Sequence, residues 1–148
     1  MSVQIPAQAI ADAQAGAGEL WQVVLALAQY ESGFDPRAVG DGGCSKGALQ
    51  FNTCGGLGVG HSDAELFDAV SNYRLGAQYI RQRLNAGVSL WDALQLWPVR
   101  PQAWALLQRI QQEDIVGTGD MPRIGTGVMN GAVLLLVAII AALLLAVD

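Results

Sequence analysis

The sequence predicts a mainly α-helical domain of α+β type with a small glycine-rich β-hairpin or loop insertion, followed by one C-terminal transmembrane helix. Three observations carry this expectation. Apolar residues recur at helical spacing in separate stretches between about 19 and 110. Between Val39 and Gly60, eight glycines fall within twenty-two residues and no helical period survives. From Val128 to Val147 the chain runs twenty residues with Asn130 as its one strongly polar side chain. At ~1.5 Å rise per residue that segment reaches about 30 Å, the thickness of a bilayer core. A helix buried in a protein core is the competing reading, but the remaining chain is too short to surround it on every face.

Residues 1–18 are rich in Ala, Gln and Gly and read as an N-terminal arm or weak helix. The folded domain spans 19–115. Its first helix runs from about Glu19 to Glu31, with Leu20, Val24, Leu27 and Glu31 on one stripe, and Gly33 and Pro36 end it. A short hairpin is expected around Gly47 to Asn52. Ser62 and Glu65 form the S-x-x-E pattern of a capping box at the start of a long helix. Leu66, Val70, Tyr73, Ala77, Ile80 and Leu84 give that helix its apolar face, and Gly87 closes it at C′. Ser89 opens a short helix that Pro98 stops, and Pro101 begins another that carries Trp104, Leu107 and Ile110. Residues 116–127 read as a glycine-rich linker and 128–147 as the transmembrane helix.

Charged residues make up 14% of the chain, its net charge is −5, and no Lys/Arg run occurs, which argues against a nucleic-acid partner. His61 is the single histidine, and no Cys/His cluster has zinc-ligand spacing, so neither a metal nor another cofactor is expected. A lone histidine is more often a loop or packing residue than a site. The opening MSVQIPAQAI has neither a basic segment nor a continuous apolar run and does not read as a secretion signal.

Glu31 is the sharpest chemical feature. A carboxylate at the C-terminal end of a helix faces the negative end of the dipole, and its stripe turns it toward apolar neighbours. Both effects favour the protonated form, which a general acid needs near neutral pH. Glycosidic cleavage needs such an acid, because the leaving sugar oxygen must be protonated as the bond breaks. An exposed Glu at a frayed helix end fits the periodicity equally well.

The neighbourhood shifts that balance. LALAQYESGFDPRAV resembles the first motif of the soluble lytic transglycosylase family, an apolar helix ending in Glu-Ser-x-Phe-x-Pro, here Glu31, Ser32, Phe34 and Pro36. Gly47, Ala48, Leu49 and Gln50, with Ser45 close before them, resemble its Gly-Leu-Met-Gln motif. Asp68, Asn72, Gly76, Tyr79 and Ile80 resemble its third. The motifs occur in the family's order, and the resemblance covers about Leu20 to Leu84. It implies a lysozyme-like fold and cleavage of peptidoglycan glycan strands between N-acetylmuramic acid and N-acetylglucosamine. Glu31 would act first as acid and then as base, while the muramyl 6-hydroxyl attacks the anomeric carbon to leave a 1,6-anhydro product. Ser32, Gln50, Asn72 and Tyr79 are the substrate-binding candidates that follow. Gln50 suits a neutral donor and acceptor in the cleft, and Ser32 can reach a sugar or Glu31, although a loop Gln and a helix-end Ser are the plainer readings.

One departure stands out. The family carries Ala-Tyr-Asn-Ala-Gly after its third motif, and this chain has Leu94-Gln95-Leu96-Trp97-Pro98 there. Trp97 joins the candidates as a sugar-stacking face, with burial in the core the favoured alternative. Cys44 and Cys54 flank the Gln50 loop and either close a small disulfide or remain two thiols; work outside the cytoplasm favours the disulfide.

Arg123 before the apolar segment, offset by Asp120, weakly places the domain on the cytoplasmic side of a membrane. Peptidoglycan lies on the other side. That conflict suggests a bacteriophage protein anchored in a virion membrane or the host inner membrane, with the lipid bilayer and other virion proteins as partners and phage entry as the occasion for wall degradation. Two alternatives remain open. One is a hydrolytic lysozyme using Asp35 or Asp41 as a second carboxylate. The other is a non-catalytic, glycan-binding structural protein of the virion membrane.

Overall fold

The computed structural model describes residues 4–112 and 116–118. A short strand, β1 (Gln4–Pro6), leads into α1 (Ala7–Ala17), and a 3-10 turn joins α1 to α2 (Trp21–Glu31). The glycine-rich stretch folds into three two-residue strands, β2 (Val39–Gly40), β3 (Ser45–Lys46) and β4 (Phe51–Asn52), paired antiparallel in the order β2-β3-β4. The helices α3 (Asp63–Leu66), α4 (Ala69–Asn85), α5 (Leu90–Ala93) and α6 (Arg100–Gln112) follow, and β5 (Val116–Thr118) pairs parallel with β1.

The core forms around α2. Val23, Val24, Leu25, Ala26, Leu27 and Ala28 are six consecutive buried residues, and a helix apolar on every side must be enclosed. Helices α1, α4 and α6 supply the enclosure. α1 approaches α4 closely because Gly16 has no side chain: a Cβ there would collide with the Val70 carbonyl oxygen.

Two expectations about the chain's ends change. The stretch expected as an N-terminal arm or weak helix forms β1 and α1, and Ile5, Ala9, Ile10, Ala13 and Ala17 are buried core. Alanine and glycine give a weak periodic signal, yet they allow close helix packing. Val116–Thr118, expected at the start of the linker, instead takes the strand position beside β1. The rest of the linker and the apolar segment 128–147 lie outside the described residues. Among the described residues no helix is long and apolar enough to cross a membrane.

The expected long helix is two. Ser62 and Glu65 do form a reciprocal capping box, but on the one-turn α3. The Asp68 side chain then accepts a hydrogen bond from the Ser71 N–H at 2.7 Å and caps α4 afresh. At the other end Gly87 adopts φ +83°, as a C′ glycine does.

The loop between β3 and β4 is stitched down by side chains. Asn72, fully buried in α4, accepts from the Leu49 N–H at 2.9 Å and donates to the Leu66 carbonyl at 2.9 Å. Trp97 donates its indole N–H to the Leu49 carbonyl at 3.1 Å. Ser32, just past α2, donates to the Ala48 carbonyl at 2.8 Å. Gly47 makes this approach possible: it sits at φ +82°, and any Cβ would strike the Leu66 carbonyl and the Asn72 amide.

Asn72→Ala leaves the Leu49 N–H and the Leu66 C=O buried and unpaired. We expect a loss of about 2–3 kcal/mol of unfolding free energy, measured by urea denaturation. A loss under ~0.5 kcal/mol, the size usual for a surface substitution, would refute this anchoring role.

Candidate active site

Glu31, at the last turn of α2, lines a cleft of about 390 Å³. The glycine-rich segment contributes Asp41, Ser45, Gln50, Phe51 and Asn52 to the cleft. The segment between α5 and α6 contributes Leu96, Trp97, Pro98 and Val99. Glu31 thus comes from a helix end and the other lining residues from two loops.

Glu31 Oε1 is buried and makes no hydrogen bond among the described residues. Burial pushes the carboxyl up to about 7 from the ordinary 4.5, and the Asp41 carboxylate adds to the rise. Desolvation disfavours the charged form, and a neighbouring negative charge disfavours it further. The sign for stability follows. A folded pKa above the unfolded one means that this group's contribution is fully present below pH 4.5 and is lost as pH rises through about 7.

Gln50 reaches the cleft from a left-handed backbone conformation, φ +52°. Its Nε2 donates to the Ala38 carbonyl at 3.1 Å and the Gly47 carbonyl at 2.9 Å, so its N–H groups are engaged by the loop. Gly40 makes room for the Oε1 atom; a Cβ there would lie 2.5 Å from it. Asp41 also has positive φ, +50°, and its Oδ2 accepts from the Ser45 hydroxyl. Such conformations cost on the order of 1–3 kcal/mol each and persist only when the surroundings hold them.

The disulfide Cys44–Cys54, with Cα atoms 5.4 Å apart, is part of that hold. It closes the loop that carries Ser45, Gln50, Phe51 and Asn52. A loop of this length is worth ~2–3 kcal/mol of crosslink stabilisation. The Thr53 N–H and hydroxyl both bond the Cys44 carbonyl, at 2.8 and 3.0 Å, inside the same ring. Two-residue strands alone would be marginal.

The residues expected to contact substrate separate into two groups. Glu31, Gln50 and Trp97 meet at the cleft. Trp97 is only 5% exposed, packed edge-on against Phe51 and Tyr79, so most of its ring is core and the open sugar-stacking face is absent. Ser32, Asn72 and Tyr79 do not line the cleft. Asn72 is enclosed with both ends of its amide bonded, and Ser32 uses its hydroxyl on Ala48. Tyr79 is half-buried, its ring 5.9 Å from that of Trp97. Ser32 and Asn72 hold the loop of Ala48 and Leu49 in place, and Tyr79 packs edge-on against Trp97. His61 lies elsewhere, with Arg74 and Gln78 in a second, smaller pocket.

Asn52, Leu96 and Val99 line the cleft without having been singled out by the sequence. Asp41 was considered as a second carboxylate, and it does line the cleft with Glu31; Asp35 does not. Proximity of Asn52 to Gln50 in the hairpin was the available signal for it. Leu96 falls in the stretch that stands where the family carries Ala-Tyr-Asn-Ala-Gly, which was the available signal for it; nothing in the local pattern marks Val99.

Residues 8–95 match the family model described as the transglycosylase SLT domain. The match includes α1, the hairpin, α4 and α5, and ends just before the Leu96–Val99 wall. No curated protein and no solved structure matches the chain.

Proposed function

The chain belongs to the transglycosylase SLT domain family, and on that premise we propose that it is a peptidoglycan lytic transglycosylase with Glu31 as its one catalytic acid and base. The observation that carries the proposal is Glu31 itself: a cleft carboxyl with one buried oxygen that has no hydrogen-bond partner among the described residues, raised to about 7. Such a group holds its proton near neutral pH and can also give it up.

The proposed reaction balances without water. Glu31 donates its proton to the N-acetylglucosamine O4 as the bond from the muramyl C1 breaks. The resulting carboxylate then takes the proton of the muramyl 6-hydroxyl while O6 bonds to C1. The products are a free 4-hydroxyl and a 1,6-anhydromuramyl end. Glu31 finishes protonated, as it began.

A second reading is hydrolysis. Asp41 lines the cleft with Glu31 and contributes to its raised pKa, so it could direct a water to C1 in place of the 6-hydroxyl. Product analysis separates the two, since water attack leaves a reducing muramyl end. We expect Glu31→Gln to lower wall-degrading activity at least about a hundredfold, within the range usual for losing a general acid. Wild-type activity should fall as pH rises through about 7. Retention of a tenth of the activity by the variant would refute the role of Glu31, and reducing ends without anhydro ends would install the hydrolytic reading.

We also propose that residues 128–147 anchor the domain in a membrane, on the strength of twenty near-continuously apolar residues. Arg123 favours the cytoplasmic side for the domain, whereas its glycan lies beyond the membrane. Carriage in a bacteriophage particle, alongside other virion proteins, would bring the enzyme to the wall from outside and serve entry. Truncation after Pro122 should leave a chain soluble without detergent, and the full chain should need detergent and be found in purified virions. A full chain that stays soluble alone counts against the anchor, and its absence from particles counts against the virion.

A further inference from the structure

The two loop walls of the cleft differ in chemistry. The glycine-rich wall presents the polar Asp41, Ser45, Gln50 and Asn52 beside Phe51 and Leu57. The segment between α5 and α6 presents only apolar surface, from Leu96, Trp97, Pro98 and Val99. That segment has no free side-chain donor or acceptor to offer. Leu96, Pro98 and Val99 have none, and the indole N–H of Trp97 is engaged by the Leu49 carbonyl. Leu96 is nonetheless 50% exposed at the cleft, the condition of an apolar side chain that a ligand would cover.

A glycan strand has few apolar projections. They are the C–H faces of its rings, the acetamido methyls at C2, and the lactyl and alanyl methyls of the stem that hangs from O3 of the muramyl sugar. The C2 substituent is attached next to the anomeric carbon, whose bond Glu31 must protonate. It is therefore the methyl-bearing group held nearest the acid, while the stem begins one carbon farther round the ring.

We propose that the Leu96–Val99 wall is the specificity surface for the sugar's acetamido methyl, with Leu96 as its principal contact. The polar wall supplies the complement. Asn52 accepts from the Cys54 N–H at 2.8 Å, which fixes its amide, and its Nδ2 makes no hydrogen bond among the described residues. That N–H₂ is an available donor for the acetamido carbonyl. An amide held through its oxygen by Asn52 and through its methyl by Leu96 orients C1 toward Glu31 without a hydrogen bond from the Leu96–Val99 segment. Leu96 thus acts on discrimination and positioning, not on proton transfer.

This inference rests on the transglycosylase reading, and its test is separable from it. Glycan strands are de-N-acetylated and then re-acylated with either acetyl or formyl, which keeps the amide and removes only the methyl. Wild-type enzyme should cleave the acetyl strands with kcat/KM about three- to tenfold above the formyl strands, the range expected for one methyl in a partly open apolar contact. Leu96→Asn, at a half-exposed position where folding is not at stake, should bring that ratio close to one and lower kcat/KM on acetyl strands by a similar factor. The alkaline fall of activity governed by Glu31 should not move. An unchanged ratio in the variant overturns the assignment. Strands freed of stem peptides by an amidase provide the other arm. If the Leu96 effect vanishes there, the wall reads the stem and the acetamido assignment falls. If wild type cleaves none of the strands, the transglycosylase reading itself fails.

Discussion

The peptide of Leu49 is held at both ends, and the cleft depends on that. Its N–H is captured by Asn72 from α4 and its C=O by Trp97 from the segment before α6. The preceding carbonyl, of Ala48, is captured by Ser32 at the end of α2. Three separate parts of the fold thereby converge on two consecutive residues of one short loop. A buried backbone group without a partner is costly, so the loop has little freedom to lift away. The next residue is Gln50, in a left-handed conformation that such an arrangement can sustain. Remove the capture, and the wall facing Glu31 loses its register.

The same packing sets the chemistry of Glu31. A helix apolar on all sides must lie at the centre, so its last residue emerges from the core and not from the surface. The carboxyl is left half-buried with a second carboxylate in the cleft, and burial and that charge both raise its pKa. The buried oxygen with no partner would be a liability in a purely structural residue. In a residue that must hold a proton and transfer it to a sugar oxygen, it is the expected condition.

Much of this was legible in the sequence, for specific reasons. Glu31 could be singled out because a stripe of apolar residues ends on it and the residues from Glu31 to Pro36 resemble a family motif, which tipped a balance that periodicity left even. The capping box at Ser62, the C′ glycine at 87 and the hairpin around Gly47 to Asn52 are local chemistry and survive folding unchanged. What could not be read was long-range. The burial of α1 rests mainly on small residues whose periodic signal is weak and on a close approach that Gly16 permits. The parallel pairing of Gln4–Pro6 with Val116–Thr118 joins the two ends of the described chain. Ser32, Asn72 and Tyr79 stood out as residues of functional motifs, and pattern alone does not distinguish a side chain that touches substrate from one that fixes the loop that does. The break at Asp68 was hidden because the apolar spacing carries on across it.

The account turns on Glu31 remaining protonated in the folded protein at a pH where an ordinary carboxyl would be ionised. Carbon-13 NMR titration of the Glu31 side-chain carboxyl in the folded domain measures this without any substrate. The midpoint should lie near 7, and Asp41→Asn should lower it while leaving it above 4.5, because burial is the larger cause. A midpoint at about 4.5 in the wild-type protein would mean that the cleft neither buries nor activates this carboxyl, and the catalytic account would be contradicted.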